Sequence, residues 1–195
     1  MGNPSSGKTI FDGGARMANE LSGKRVAILA ASGVEQVELE QPRKAADDAG
    51  ATTTLISVDT GEIQAMNGDI NPADTFAVDA AIADVSADDF DALILPGGTC
   101  NPDTLRQNAD VIAFVQAFAG AGKPIAAICH APWTLVEADL VRGKRLTSFP
   151  SVRTDIRNAG GTVVDEQVVV DQGLITSRNP DDLDAFCATL VKEFA

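Results

Sequence analysis

The sequence predicts an α/β domain with a mainly parallel sheet covered by helices on both faces. Three observations predict it. Short runs made almost wholly of apolar residues recur along the chain, as they do in strands buried on both sides. Stretches with apolar residues at helical spacing lie between several of these runs. The two kinds of segment alternate, which is the pattern of strand–helix–strand units. A length of 195 residues fits one such domain.

Residues 1–22 are polar and rich in Gly and Ser, and are expected to form a loose N-terminal arm before a domain over 23–195. Strand-like runs follow at 25–31 (RVAILAA), 52–58 (TTTLISV), 91–95 (DALIL) and 124–128 (PIAAI), with shorter ones near 145–148, 162–164, 167–171 and 174–177. Over 108–120, a helical face carries Val111, Ile112, Val115, Phe118 and Ala119. Over 180–194, another carries Leu183, Phe186, Cys187, Leu190, Val191 and Phe194. Asp48-Ala49-Gly50 and Asn158-Ala159-Gly160 are helix stops. The region 60–85, with Gly61, Gly68 and Pro72, interrupts the alternation and reads as a small hairpin insertion. No repeat or linker divides the chain.

Composition excludes several functions. With 28 acids against 15 bases the net charge is -13, which repels phosphate backbones and anionic lipid, so neither nucleic acid nor a membrane surface is an expected partner. No apolar run approaches the ~20 residues of a membrane span. Three cysteines (Cys100, Cys129, Cys187) are too few and too scattered for a disulfide framework. With one histidine and no CxxC or HxxH spacing, no metal site and no cofactor is expected. A reducing, cytoplasmic setting is the expectation. Gly2–Thr9 (GNPSSGKT) fits the phosphate-binding GxxxxGK[ST] pattern, but only Met1 precedes it where a buried strand must deliver the loop, so no nucleotide site is expected. It also matches a myristoylation pattern, against which Pro4 and the retained Met1 argue.

The chemistry-bearing segment is Pro124-Ile-Ala-Ala-Ile-Cys129-His130-Ala-Pro132-Trp. An apolar strand runs directly into Cys129, and Pro132 suits the first turn of a helix. Cys129 therefore occupies a strand-to-helix turn at the carboxyl end of a parallel strand, where open α/β sheets bind ligands. Ala127 and Ala131 leave the space that a strained nucleophile elbow needs. A helix N-terminus favours thiolate, so Cys129 is expected to be the most reactive thiol and Cys187, on an apolar stripe, the least. The one histidine, His130, is its neighbour. Leu95-Pro96-Gly97-Gly98 ends another strand, and its glycines allow backbone N–H groups to face a ligand as an oxyanion hole. Glu35 and Glu38, at i and i+3, are expected on one helix face near the same sheet end. A carboxyl beside the thiol must be protonated to donate a hydrogen bond to thiolate: burial favours that state and a helix N-terminus opposes it.

The segments VEQVEL, LILPGG, NPDTLR, GKPIAAICHAPW, VRGKRLTSFPSVRTDIRNAGG and VDEQVVVDQGLITSRNPDDL, in that order from about Lys24 onward, resemble the PfpI branch of the DJ-one/PfpI superfamily. The resemblance implies a flavodoxin-like three-layer α/β/α sandwich assembled as a homodimer or an oligomer of dimers. It makes Cys129 the nucleophile, His130 its companion, Glu38 the carboxyl held against the thiol, and Gly98 with the His130 backbone the oxyanion hole. Asp103 stands where PfpI-like proteases carry a glutamate that reaches the neighbouring subunit's histidine. Its side chain is one methylene shorter, and the loop before it looks one residue longer. Three activities follow from the family. One is a cofactor-independent glyoxalase or deglycase acting on reactive dicarbonyls or early protein adducts, another a cysteine peptidase, and the third a redox sensor through Cys129 oxidation.

Overall fold

The computed structural model describes residues 19–195, so the segment Gly2–Thr9 lies outside the described residues. In chain order the elements are β1 (Arg25–Leu29), β2 (Val34–Glu35), α1 (Gln36–Asp48), β3 (Thr52–Ser57), β4 (Glu62–Asn67), β5 (Asn71–Ala77), β6 (Ala80–Ala81) and β7 (Ala92–Leu95). Then come α2 (Cys100–Leu105), α3 (Ala109–Gly120), β8 (Ile125–Ile128), α4 (Pro132–Glu137), β9 (Arg145–Leu146), α5 (Arg153–Asn158), β10 (Thr162–Val163), β11 (Val168–Asp171), β12 (Leu174–Ser177) and α6 (Leu183–Phe194).

The described residues form a central sheet in the order β11-β12-β8-β7-β1-β3-β6. It is parallel except for β11, which runs antiparallel to β12. Side chains alternate across a strand, and the core divides accordingly. Val26 and Ile28 of β1 pack with Leu39 of α1 and Phe186 and Leu190 of α6. Ala27 and Leu29 pack on the other face with Phe118 of α3, Leu135 of α4 and Ile156 of α5. Each large side chain withdrawn from water contributes about 1.5–3 kcal/mol, so both helical layers are held by burial rather than by propensity. The predicted three-layer α/β sandwich is the observed fold.

Details differ from the sequence expectation where tertiary contacts intervene. On α3 the buried face is Val111, Phe114, Val115 and Phe118, while Ile112 and Ala119 are only partly covered. Phe114 is drawn in by edge-on contacts with Phe90 and Phe118. The runs near 145–148 and 162–164 leave the main sheet and pair with each other as β9 and β10. Leu21, placed in the expected arm, is fully buried and donates its N–H to Ala49 O, so packing starts before residue 23. The insertion at 60–85 holds the antiparallel hairpin β4–β5, and β2 adds to β4 in parallel. No helix of the described residues is long and apolar enough to cross a membrane.

Candidate active site

Four adjacent parallel strands, β12, β8, β7 and β1, end on one edge of the sheet, and Cys129, His130, Glu38, Gly97 and Gly98 meet there. Cys129 follows β8 directly. Its N–H donates to Ser177 O at the end of β12 and its carbonyl accepts from Phe149 N–H. Its φ is +64°, in the left-handed region that a non-glycine residue occupies only under constraint. The chain turns at once, and Pro132 opens α4 at a position where its missing N–H costs nothing. Ala127 and Ala131 are fully packed beside the turn. The thiol is 5% exposed.

The Gly97–Gly98 loop, following β7, meets the elbow from the side. A Cβ on Gly97 would run into Glu38 Oε2 and lie 2.5 Å from Cys129 Cβ. Gly98 has φ +82°, and a Cβ there would strike Gly33 O and come within 2.7 Å of Glu35 N. Both glycines are therefore demanded by close approach, and Gly98 by its backbone direction as well. The Gly98 and His130 amides face the sulfur and favour thiolate, as an oxyanion hole must.

Glu38, in the first turn of α1, is 0% exposed. Its Oε2 accepts the Gly97 N–H at 3.0 Å, whereas Oε1 is buried without a partner. Burial, opposed by its contact with Cys129, pushes its pKa up from 4.5 to about 8, so at neutral pH the carboxyl keeps its proton. With Oε2 engaged as an acceptor, that proton belongs on Oε1. Burial outweighs the helix N-terminus, whose effect is small by comparison. The Cys129 thiol is pushed up by the same burial, and the repulsion that an ionised Glu38 adds is absent while Glu38 is protonated.

His130 is 4% exposed and lies face-to-face on Phe149, with centroids 4.4 Å apart at 26°. Its Nδ1 is 3.2 Å from Cys129 Sγ and its Nε2 is 3.0 Å from Ser151 Oγ. Burial lowers its pKa, more than the negative charge of Asp69 raises it, so the imidazole is neutral.

Contrary to expectation, Glu35 and Glu38 do not share a helix face. Glu35 sits in β2, ahead of the helix, and its carboxylate accepts from the N–H groups of Gly68 and Asp69 in the hairpin turn. Asp103 lies exposed on α2, and its backbone carbonyl accepts from Gln107 Nε2. Within this chain the carboxyl does not meet His130. Cys100 is exposed and Cys187 is partly buried, so the most accessible thiol is not the one in the elbow.

Three residues escaped the sequence reading. Asn101, fully buried, donates to Pro96 O and Gly97 O and accepts from Ala31 N–H, fastening the glycine loop to the end of β1. Asp69, at φ +67°, accepts the Thr99 N–H at 2.7 Å and ties the hairpin to the same loop. Ser151 backs His130. The Asn67-Gly68-Asp69 turn is a signal that could have drawn attention to Asp69, since Gly and Asp tolerate left-handed backbone. Asn101 and Ser151 carry no local signal.

A family description, DJ-1/PfpI family, matches residues 24–193. Among curated proteins, "Putative cysteine protease YraA" of Bacillus subtilis (strain 168) is 41% identical over 164 residues, covering 84% of this chain and 94% of that protein. "General stress protein 18" of the same organism is 42% identical over 165 residues, with the same two coverages. Among solved structures, Drosophila melanogaster DJ-1beta has a TM-score of 0.79 at 30% identity, covering 88% of this chain and 90% of that one. A two-domain protein from Anabaena variabilis, with DJ-1/ThiJ/PfpI-like and ferritin-like domains, has a TM-score of 0.81 at 36% identity. There the match covers 87% of this chain and 47% of the two-domain protein.

Proposed function

The chain belongs to the DJ-1/PfpI family, and on that premise we propose that it is a cytoplasmic stress-response enzyme that converts small reactive dicarbonyls, or their early protein adducts, without a cofactor. One observation carries this reading: a fully buried Glu38 carboxyl in contact with the Cys129 thiol, which burial holds in its protonated form. Such a carboxyl can deliver a proton, take one from a carbon and return it to the neighbouring carbon, with no change of partner.

With methylglyoxal, Cys129 thiolate forms a C–S bond to the aldehyde carbon. The developing alkoxide is faced by the Gly98 and His130 amides and takes the Glu38 proton, giving a hemithioacetal and a carboxylate. Glu38 removes the hydrogen from the sulfur-bearing carbon and returns it to the adjacent one, and the hydroxyl proton moves across to the second oxygen. The product of this isomerisation is a thioester of a 2-hydroxy acid. Water cleaves the thioester, one of its protons returning to Glu38, and release of the 2-hydroxy acid returns Cys129 to the thiolate that began the cycle. Water is the only co-reactant, and there is no net oxidation. A cysteine only 5% exposed favours a small electrophile over a peptide chain.

A second reading, a cysteine peptidase, is favoured by the 3.2 Å approach of His130 Nδ1 to the thiol and by the name of one relative. It needs an acid on His130 Nε2. Ser151 fills that place in this chain, and Asp103 would have to come from a neighbouring subunit in a dimer.

Incubating the wild type and Cys129→Ser with methylglyoxal, a glycated peptide and casein tests both. The expected result is 2-hydroxy acid formation by the wild type alone and intact casein. Casein cleavage without dicarbonyl turnover would replace the first reading by the second.

A further inference from the structure

We propose that His130 and Ser151 form the proton route between the buried Cys129 thiol and solvent, with Ser151 as the positioning residue that lets the imidazole relay the proton while staying neutral. The proposal rests on Cys129 being the reacting group of the reading above, but not on the dicarbonyl as substrate.

The need for a route follows from burial. Cys129 is 5% exposed and Glu38 is 0% exposed, so neither releases a proton directly to water. Glu38 already holds its own proton and cannot accept the one that must leave sulfur before attack. One line of polar atoms leads outward. Sγ is 3.2 Å from His130 Nδ1, and Nε2 on the far side of the ring is 3.0 Å from Ser151 Oγ. Ser151 is itself exposed, in the short turn Pro150–Val152. The line is held in place: the ring stacks on Phe149 and meets Trp133 with centroids 5.3 Å apart. The Phe149 N–H, bonded to Cys129 O, ties the serine turn to the elbow.

A neutral imidazole has one donor nitrogen and one acceptor, so its two contacts are coupled. The S–H proton passes to Nδ1 as the Nε2 proton passes to Ser151 Oγ, and the hydroxyl hands its original proton to water. One S–H bond is broken and one O–H bond forms in solvent. The imidazole ends neutral in its other tautomer, with Nδ1–H donating to the thiolate. A hydroxyl suits this because it donates and accepts equally well, whereas a carboxylate at Nε2 would hold an imidazolium in place. The titratable groups facing this line are Glu38 from α1, which is protonated and uncharged, and Asp69 from the hairpin turn. Burial of the ring outweighs the pull of Asp69 toward imidazolium.

The test measures the iodoacetamide reaction rate at Cys129, mapped by mass spectrometry across pH, in the wild type, Ser151→Thr and Ser151→Val. Threonine keeps the hydroxyl, and valine has nearly the same shape without it. Threonine should react within about threefold of wild type. Valine should be slower by about tenfold at neutral pH, the upper end of what one neutral hydrogen bond is worth, with its rate rising only at higher pH. Ser151→Ala reads the same contrast if valine disturbs folding, as melting curves would reveal. Wild-type rates in valine and alanine across the whole range, or an equal fall in threonine and valine, would overturn the proposal. Absence of dicarbonyl turnover in the wild type would sink the substrate assignment and leave this contrast untouched.

Discussion

Replacing Glu38 by glutamine should convert a pH-dependent fold into a more nearly pH-independent one. The carboxyl is fully buried, and its pKa rises from 4.5 to about 8 on folding. Below 4.5 the group is protonated in both folded and unfolded chains, and no difference arises. Above 4.5 the unfolded chain releases the proton while the folded chain keeps it, so wild-type stability falls by about 1.4 kcal/mol per pH unit. The fall ends near 8, where the folded carboxyl also ionises. Glutamine keeps the shape and an N–H donor but never ionises. The stability of Glu38→Gln relative to wild type should therefore grow by about 3 kcal/mol between pH 5 and pH 7. Urea unfolding of both proteins at a series of pH values measures it. Taking the difference at each pH removes the contribution of His130, whose lowered pKa works in the opposite direction in both proteins. A flat difference from pH 5 to pH 8 would refute the reasoning. It would mean that the folded pair holds one proton, as thiolate with acid, so that it binds no more protons than the unfolded chain.

Other consequences follow from the same geometry. Glu38→Gln should also lose methylglyoxal turnover by ~10²–10⁴-fold, since an amide cannot exchange the proton, and 2-hydroxy acid release reports it directly. Asn101→Ala removes three buried hydrogen bonds and strands the Pro96 carbonyl and the Ala31 N–H, costing about 2–4 kcal/mol, readable from denaturant midpoints; an unchanged midpoint would deny Asn101 its fastening role. Gly97→Ala forces a Cβ against Glu38 and Cys129 and should abolish iodoacetamide labelling of Cys129 while leaving Cys100 reactive. A bulky polymer-linked maleimide should modify Cys100, which is exposed, well before Cys187, whose thiol burial pushes up to about 12.

The layered fold and the elbow were legible in the sequence because both are encoded by neighbouring residues. Apolar strands alternating with amphipathic helices leave few ways to bury both, and PIAAICHAP contains its own strand, turn and helix start within ten positions. The glycine pair was legible as a loop, though the close approach that requires it was not. The resemblance pointed to Glu38, but nothing in the local residues separates it from Glu35, and only the tertiary structure shows why Glu38 is the carboxyl beside the thiol. Glu35 and Glu38 look alike in sequence, yet one accepts from a hairpin turn 34 residues away and the other is sealed against sulfur. Protonation of Glu38 is likewise non-local, since it depends on how completely the surrounding layers exclude water. Asn101 joins Ala31 across 70 residues, Asp69 joins Thr99 across 30, and Ser151 joins His130 across 21. Local periodicity determines which face of an element is buried, but hydrogen-bond partners and desolvation depend on which elements fold against each other, and no local pattern carries that.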